Sequence, residues 1–153
     1  MKLSAIAAAI SLYLSLTVTA AAQIVGEPAP SFAATDLDGK PVSLADYKGK
    51  FVVLEWMNKD CPFSKKHYNS GNIARSQRHA AAKGAVWLSV STGAITPGDK
   101  VEGRKLAEWL GANNAAATAT IVDGGAVAKA YKAKTTPHVY LIDPQGKLVN
   151  AGA

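Results

Sequence analysis

The stretch FVVLEWMNKDCPFS, residues 51–64, sets a run of apolar residues before a polar loop and a Cys–Pro pair. A nearly continuous apolar run with β-branched and aromatic residues is typical of a strand buried on both faces, and we predict one over Phe51–Trp56. Proline suits the first position of a helix because it has no N–H to leave unsatisfied. We therefore predict a helix over residues 61–83 that Gly71 interrupts and can kink, with the cysteine at a strand-to-helix junction.

Strands and helices alternate along the rest of the chain, which finishes in a hairpin. Asp-x-Asp-Gly at residues 36–39 and Asp-Pro-Gln-Gly at residues 143–146 predict tight turns. Further strands are predicted at residues 31–35, 41–43, 85–91, 119–123 and 138–143 and from 147 onward, and helical segments at 44–47, 101–110 and 126–132. This order predicts an α/β domain with a central mixed β-sheet flanked by helices.

Length and composition limit the classes of protein to consider. The chain has 153 residues, which suffices for one domain with its own core. Its 48% hydrophobic and 18% charged residues are typical of a globular protein rather than a disordered one. The net charge of +6 comes from scattered lysines without interleaved aromatic residues, so we predict no nucleic-acid partner.

The first residues have the features of an export signal. Met1–Lys2 is a short positive start, Leu3–Thr19 is almost wholly apolar or small, and Ala20–Ala22 fits signal peptidase cleavage. We predict a signal peptide over residues 1–22, a mature domain over residues 23–153, and a periplasmic or secreted protein without a stable membrane span. An uncleaved membrane anchor is the alternative, although the segment is short for a span.

Cys61 is the only cysteine of the chain, so an internal disulfide is excluded. A free thiol in an oxidising compartment is exposed to oxidation and to mixed disulfides. Two interpretations remain open at this point: a cysteine buried as a packing residue, or a reactive thiol. The position at a strand-to-helix junction favours the reactive thiol.

A cysteine at this position is expected to ionise easily. At the N-cap, the free N–H groups of Phe63 and Ser64 would point toward the sulfur, and the helix dipole favours a thiolate. Positive charge nearby comes from Lys59, Lys65 and Lys66, and Asp60 opposes it. We predict a lowered thiol pKa and faster reaction with disulfides and peroxides.

Four segments together resemble a known family. They are VGEPAPSFAATDLDGKPVSLADYKGKFVVLEW (residues 25–56), CPFSKKHYNSGN (61–72), Thr135–Thr136–Pro137 and YLIDPQGKLVNAGA (140–153). The combination resembles the redoxin group, which holds the alkyl hydroperoxide reductase and thiol-specific antioxidant proteins and their thiol-disulfide relatives, and within it an exported bacterial branch. The resemblance implies a thioredoxin-like fold and places Pro137 in a cis-proline loop facing the reactive cysteine. From the residues alone, an ordinary trans turn at this proline stays open.

The chain departs from the family's patterns at three places. Dithiol thioredoxins carry Cys-x-x-Cys, but Ser64 occupies the fourth position, where it can steady a thiolate and cannot resolve a mixed disulfide. Peroxiredoxins carry Thr or Ser three residues before the cysteine and Pro seven before it, whereas this chain has Asn58 and Leu54. Relatives are also expected to continue into a further helix after the last hairpin, so we predict a fold without that helix and one sheet face uncovered.

We predict two functions of different classes. The first is a one-cysteine thiol oxidoreductase, peroxiredoxin-like and antioxidant, that reduces peroxide or exchanges with disulfides and is regenerated by an external thiol or dithiol. The second is a non-catalytic thioredoxin-fold binding or assembly module that holds a partner, for example as a mixed disulfide; an inactive fragment is a third, weaker interpretation. The predicted catalytic residues are Cys61, Ser64 and Pro137, and the predicted supporting residues are Asn58, Pro62, Phe63 and Thr136.

The three histidines are interpreted as structural residues. His67 lies six residues beyond the cysteine rather than one helical turn, so a Cys–His pair is not expected. His79 is expected at the surface, and His138 is expected in a strand beside the cis-proline loop. Three scattered histidines and one cysteine have no metal-ligand spacing, and no phosphate-binding loop is present, so neither a metal nor another cofactor is predicted. The oligomeric state is left open.

Overall fold

The computed structural model of the chain describes residues 25–92 and 97–152. Its strands are β1 (Ala33–Asp36), β2 (Pro41–Ser43), β3 (Val52–Trp56), β4 (Val86–Thr92), β5 (Ala119–Asp123), β6 (His138–Ile142) and β7 (Leu148–Gly152). Its helices are α1 (Pro62–Asn69), α2 (Asn72–Ala82), α3 (Lys100–Ala112) and α4 (Ala126–Tyr131), with a 3₁₀ turn at Leu44–Tyr47. The predicted signal peptide over residues 1–22 lies outside the described residues.

The strands form one mixed sheet in the order β2-β1-β5-β4-β3-β6-β7. The central β3 pairs in parallel with β4 and antiparallel with β6, and Trp56 at its end lies opposite His138. The β1–β2 and β6–β7 hairpins form the two edges. The α/β class with a mixed sheet and flanking helices, predicted from the sequence, is confirmed.

Each face of the sheet carries a hydrophobic core. All five side chains of β3 are buried, which confirms the prediction of a strand covered on both faces. One core surrounds Leu54 and Trp56 and includes Tyr131 of α4. The other joins Tyr68 of α1 to Leu106 of α3. The helix that follows the cysteine therefore rests on a different face from α4.

The predicted helix over residues 61–83 is two helices, α1 and α2, separated where Gly71 was predicted to interrupt it. The chain breaks at Ser70–Gly71, where Gly71 has φ +71°, a left-handed conformation that glycine adopts without steric cost. A second boundary also moves, because α3 starts after the N-cap Asp99 and passes through Gly111, where we expected it to stop. Isolated glycines are tolerated inside helices when packing compensates for them.

The sheet ends at β7, an edge strand whose residues from Val149 to Gly152 are exposed. Within the described part of the chain, no helix follows β7. None of the helices in residues 25–92 and 97–152 is long and apolar enough to cross a membrane.

Candidate functional site

Cys61 lies at the junction of β3 and α1, where the loop between them closes on itself. The backbone N–H of Cys61 donates to the carbonyl oxygen of Asn58 at 3.1 Å. The Asn58 side-chain oxygen accepts from the N–H of Asp60 at 2.8 Å. Cys61 has extended backbone angles, and Pro62 follows it as the first helical residue. The prediction that Cys61 is the N-cap of a helix begun by proline is confirmed.

The sulfur faces a loop that is distant in the sequence. The Thr136–Pro137 peptide bond is cis, as the resemblance implied. The Cys61 thiol donates a hydrogen bond to the carbonyl oxygen of Thr136, with Sγ 3.0 Å from that oxygen. Cys61 itself is partly exposed. The sulfur therefore lies between the start of α1 and the loop before β6, in a partly exposed residue.

The surroundings of the sulfur lower the pKa of the Cys61 thiol. The largest influence is a side-chain hydrogen bond from Thr136, followed by the backbone N–H of Ser64. Partial burial acts in the opposite direction, and the Phe63 N–H and the Ser64 hydroxyl add further stabilisation of the thiolate. The bond from the thiol to the Thr136 carbonyl favours the protonated form, but a single acceptor opposes several donors. The lowered pKa predicted from the sequence is confirmed in direction.

The N–H groups act on the sulfur without capping it. In this geometry Sγ points toward Thr136 and makes no capping hydrogen bond to the helix. The amides of Phe63 and Ser64 are nevertheless close enough to stabilise a negative charge. Ionisation of the thiol removes its hydrogen bond to the Thr136 carbonyl, and the donors named above then stabilise the negative charge.

The expected contribution of lysines to this pKa was wrong. Lys59 pairs with Asp60, with Nζ 2.9 Å from Oδ2, and Lys65 and Lys66 are exposed. Hydrogen bonds and burial are the main influences on the Cys61 pKa, and none of the three lysines is among them. Lysine charges that extend into water are screened from the sulfur, whereas hydrogen-bond donors at the helix start are not.

The sulfur opens into a groove of about 560 Å³. We define the groove by its lining residues, which are Cys61, Phe63, His67, Thr135, Thr136 and Pro137. Phe63 is 67% exposed, unusually so for a large aromatic side chain, and forms an apolar wall. His67 was interpreted as a solvated helix residue and is brought into the groove because it lies one turn after Phe63. A helical periodicity counted from Phe63 rather than from Cys61 would have found it.

Ser64 and Asn58 fix the floor of the site. Ser64 is only 1% exposed, and its Oγ accepts from the backbone N–H of Asn58 at 3.4 Å. The hydroxyl hydrogen is therefore available to the sulfur. Because the Asn58 side-chain oxygen is held by Asp60, Asn58 shapes the loop before Cys61.

A buried carboxyl group lies beneath α1, and sequence analysis did not single it out. Glu55 of β3 is fully buried, and its Oε2 accepts from the Tyr68 hydroxyl at 3.1 Å, the Trp87 Nε1 at 2.9 Å and the Ser89 hydroxyl at 3.0 Å. Its Oε1 has no hydrogen-bond partner among the described residues. Burial raises the pKa of Glu55, and these hydrogen bonds only partly oppose that effect. A lone acidic residue inside an apolar strand was the available signal.

His138 lies at the start of β6 directly after the cis-proline, as expected. Its ring stacks on Tyr140 with centroids 4.4 Å apart, and burial lowers its pKa. Tyr140 in turn donates to the backbone oxygen of Tyr131 at 2.9 Å. This aromatic cluster holds the cis-proline loop from the sheet face that α4 covers.

Other parts of the molecule offer less chemistry than the groove. A cavity of about 690 Å³ lies between the β1–β2 turn and the start of α3, but no cysteine or histidine is among its described lining residues. Within residues 25–92 and 97–152, no cluster of three or more His, Cys, Asp or Glu side chains could hold a metal ion.

The comparison with protein families is decisive for the class of this chain. The model of the AhpC/TSA family matches residues 25–151. The chain belongs to the AhpC/TSA family. This family lies within the thioredoxin-like redoxins, as the sequence motifs implied.

Individual relatives of this family member are named for thiol-disulfide chemistry. The thiol-disulfide oxidoreductase ResA of Bacillus subtilis (strain 168) is 29% identical over 124 residues, which are 81% of this chain and 64% of that protein. This chain thus spans less than two thirds of the length of ResA.

Solved structures agree with the fold. The thioredoxin domain of a thiol-disulfide oxidoreductase from Bacteroides vulgatus has a TM-score of 0.67 and 26% identity, covering 84% of this chain and 87% of that one. A thiol:disulfide interchange protein from Bacteroides sp. has a TM-score of 0.65 and 26% identity, covering 84% and 80%. The fold is thioredoxin-like.

Proposed function

We propose that this protein is a thiol oxidoreductase that exchanges with disulfides through the single thiol of Cys61. The observation that carries the proposal is the placement of Sγ, 3.0 Å from the Thr136 carbonyl oxygen and beside a cis-proline, in an open groove at the start of a helix. The thiolate is the attacking species in disulfide exchange, and the pKa of this thiol is lowered. The relatives named as thiol-disulfide oxidoreductases support the same class of reaction.

The reaction takes place in two exchange steps. The Cys61 thiolate attacks one sulfur of a disulfide R–S–S–R, forms a Cys61–S–S–R mixed disulfide and releases R–S⁻. An external thiolate R′–S⁻ then attacks the R sulfur, forms R–S–S–R′ and returns the Cys61 thiolate. The second thiol must come from outside because the chain has no other cysteine.

Each predicted site residue has a proposed part in these steps. The hydroxyl of Ser64 and the N–H of Phe63 steady the thiolate, and Thr136 with Pro137 forms the wall against which the substrate disulfide lies. Pro62 starts α1 so that its free N–H groups face the sulfur. Asn58 keeps the loop closed in front of Cys61.

Peroxide reduction is the alternative chemistry at the same thiol. The thiolate would attack hydrogen peroxide, giving a sulfenic acid and hydroxide, and an external thiol would reduce the sulfenic acid. Cleavage of the O–O bond needs polar groups that stabilise the leaving oxygen. Leu54, which is buried in the core, and Asn58 stand where peroxiredoxins carry Pro and a Thr or Ser hydroxyl donor, so we favour disulfide exchange.

A second candidate function is a binding or assembly module that holds a partner as a long-lived mixed disulfide. The observation that favours it is Ser64, which occupies the buried position where a dithiol protein has its resolving cysteine. In both functions we propose that the protein works after export, with residues 1–22 removed, because the apolar start of the chain has the pattern of a signal peptide.

The experiment follows Cys61 by mass spectrometry and stopped-flow kinetics. The reduced protein is mixed separately with hydroxyethyl disulfide and with hydrogen peroxide between pH 5 and pH 9, and a reducing thiol is then added. For an oxidoreductase we expect a mixed disulfide on Cys61 that forms faster than the one on a free cysteine derivative. The added thiol should then release it and return the Cys61 thiol in each turnover. Cys61→Ser is the control, with folding checked by circular dichroism.

The outcomes separate the candidates. A mixed disulfide that resists the added thiol would favour the holding module. A sulfenic acid that forms much faster than the mixed disulfide would favour peroxide reduction. Turnover that survives Cys61→Ser would exclude every mechanism centred on this thiol.

A further inference from the structure

Charge is distributed unevenly between the segments that form the groove and the rest of the chain. The two segments that contain the groove lining are residues 58–85 (the loop before α1, α1 and α2) and residues 124–138 (α4 and the cis-proline loop); the lining itself falls within residues 61–67 and 135–137. Together they hold nine lysines and arginines and one acidic residue, Asp60. The other residues between 25 and 152 hold seven basic and ten acidic residues. The positive charge of the domain is thus carried mainly by the two segments that contain the groove lining.

Three of these cations are exposed and close in sequence to the groove lining. We call Lys65, Lys66 and Lys134 the groove lysines. The one acidic residue in the sequence of the two segments, Asp60, is paired with Lys59 at 2.9 Å. Lys65 also lowers the pKa of Asp60, which places its charge beside the loop that precedes Cys61. The groove therefore has an unbalanced positive rim.

The groove lysines act on an incoming molecule rather than on the sulfur. They are exposed and are not among the main causes of the shift of the Cys61 pKa, which are hydrogen bonds and burial. A substrate that carries its own charged groups outward from the reacting sulfur would reach the same solvent region. A cleft lined by charge of one sign raises the rate of encounter with oppositely charged substrates by about 10- to 1000-fold.

The size and the apolar content of the groove favour a small substrate. Its volume of about 560 Å³ lies in the range of about 300–1000 Å³ typical of small-molecule sites. Of the exposed large hydrophobic side chains in the described residues, only Phe63 lines the groove. A standard protein interface buries about 800 Å² on each partner around several apolar anchors. One aromatic wall with a cationic rim suits a small anionic molecule better.

We propose that Cys61 exchanges with small, carboxylate-bearing disulfides and with the thiols that correspond to them. This inference rests on the proposed thiol oxidoreductase function and specifies its substrate. The Cys61 thiolate attacks the anionic disulfide, forms a mixed disulfide and releases one anionic thiolate. A different anionic thiolate of this class, R′–S⁻, then attacks the outer sulfur, forms the new anionic disulfide R–S–S–R′ and frees the Cys61 thiolate. The groove lysines hold the carboxylates in both steps, while the substrate chain contacts Phe63.

The test uses three aliphatic disulfides that differ mainly in charge. They are 3,3′-dithiodipropionate (anionic), hydroxyethyl disulfide (neutral) and cystamine (cationic). The second-order rate constant of each with the reduced protein is divided by its rate constant with N-acetylcysteine amide, which corrects for intrinsic reactivity. We expect a normalised preference for the anionic over the neutral disulfide of about tenfold at low salt. We also expect a preference for neutral over cationic, and both preferences should shrink at 0.5 M salt.

Matched variants assign the effect to the rim. The triple substitution of the groove lysines by glutamine should abolish the normalised preference for the anionic over the neutral disulfide. The control replaces three other exposed lysines by glutamine and removes the same net charge: Lys48, Lys50 and Lys147. These lysines lie near the start of β3 and the end of β6, whereas Cys61 follows the end of β3. The control should keep the preference.

The possible results distinguish this inference from the proposed function. Equal normalised rates for the three disulfides, each well above the reference, would overturn the substrate class and leave thiol exchange standing. A preference that the groove-lysine variant keeps, or that the control loses equally, would also overturn the assignment to this rim. Rates no faster than the reference for all three disulfides would instead reject the proposed function itself.

Discussion

Replacing Glu55 by glutamine should change the pH dependence of stability without changing the shape of the core. The carboxyl group is fully buried beneath α1, and three hydrogen bonds reach Oε2 while Oε1 lacks a partner among the described residues. Glutamine is nearly isosteric and keeps one oxygen for Tyr68, Trp87 and Ser89. It cannot ionise, so the substitution isolates the cost of burying a carboxylate.

The direction of the pKa shift determines how the free energy of unfolding changes with pH. Because burial raises the pKa of Glu55 above its ordinary value of 4.5, the folded protein keeps the proton to a higher pH than the unfolded chain does. The contribution of Glu55 to the free energy of unfolding is then fully present below about pH 4.5 and is lost as the pH rises through the folded-state pKa. Within that window the loss is about 1.4 kcal/mol per pH unit.

Urea unfolding at half-unit steps between pH 5 and pH 7.5 measures this effect. The free energy of unfolding of Glu55→Gln minus that of the original protein should increase with pH by about 1.4 kcal/mol per unit while Glu55 is protonated only in the folded state. Other titrating groups cancel in the difference. Glu108→Gln, at an exposed position of α3, is the control for removing one negative charge. A difference between Glu55→Gln and the original protein that stays constant over this pH range would refute the reasoning.

Three further predictions test the site and the core. Ser64→Cys should supply a resolving thiol, so that a mixed disulfide on Cys61 is released without added thiol; a persisting adduct by mass spectrometry would show that residue 64 cannot reach the sulfur. Alkylation of Cys61 by iodoacetamide should have a midpoint below the ordinary thiol pKa of 9.0, and Ser64→Ala should raise it because one donor to the thiolate is lost. Leu106→Ala should lower the free energy of unfolding by about 2–5 kcal/mol because Leu106 is buried between α3 and the sheet, as measured in urea. Val101→Ala, at an exposed position of the same helix, should cost much less, and equal losses would contradict the predicted packing.

Cys61 carries the only thiol of the chain. Every adduct, oxidation product or alkylation of a thiol in the chain must fall on Cys61, because there is no second cysteine. The fate of the mixed disulfide after its formation then decides between turnover and holding. Ser64 is the residue at which the two functions diverge, since its hydroxyl can stabilise a thiolate and cannot displace a disulfide.

Local sequence patterns predicted most of the secondary structure near the site. The run before Cys61 is a buried strand because its apolar side chains alternate onto two covered faces, and Pro62 starts a helix because it lacks an N–H. Such signals lie within a few residues of one another. The break at Gly71 was harder to predict because the same glycine is compatible with a kinked helix and with an interrupted one.

The tertiary structure alone determined which distant groups meet at the sulfur. Cys61 and the Thr136 carbonyl are 75 residues apart, and only the antiparallel pairing of β3 with β6 brings them together. His67 enters the groove through the orientation of α1, and Glu55 finds Trp87 and Ser89 through the parallel pairing with β4. Sequence patterns determine backbone conformation because it depends on neighbouring residues. They leave such contacts open because strand order and helix orientation follow from how the whole core packs.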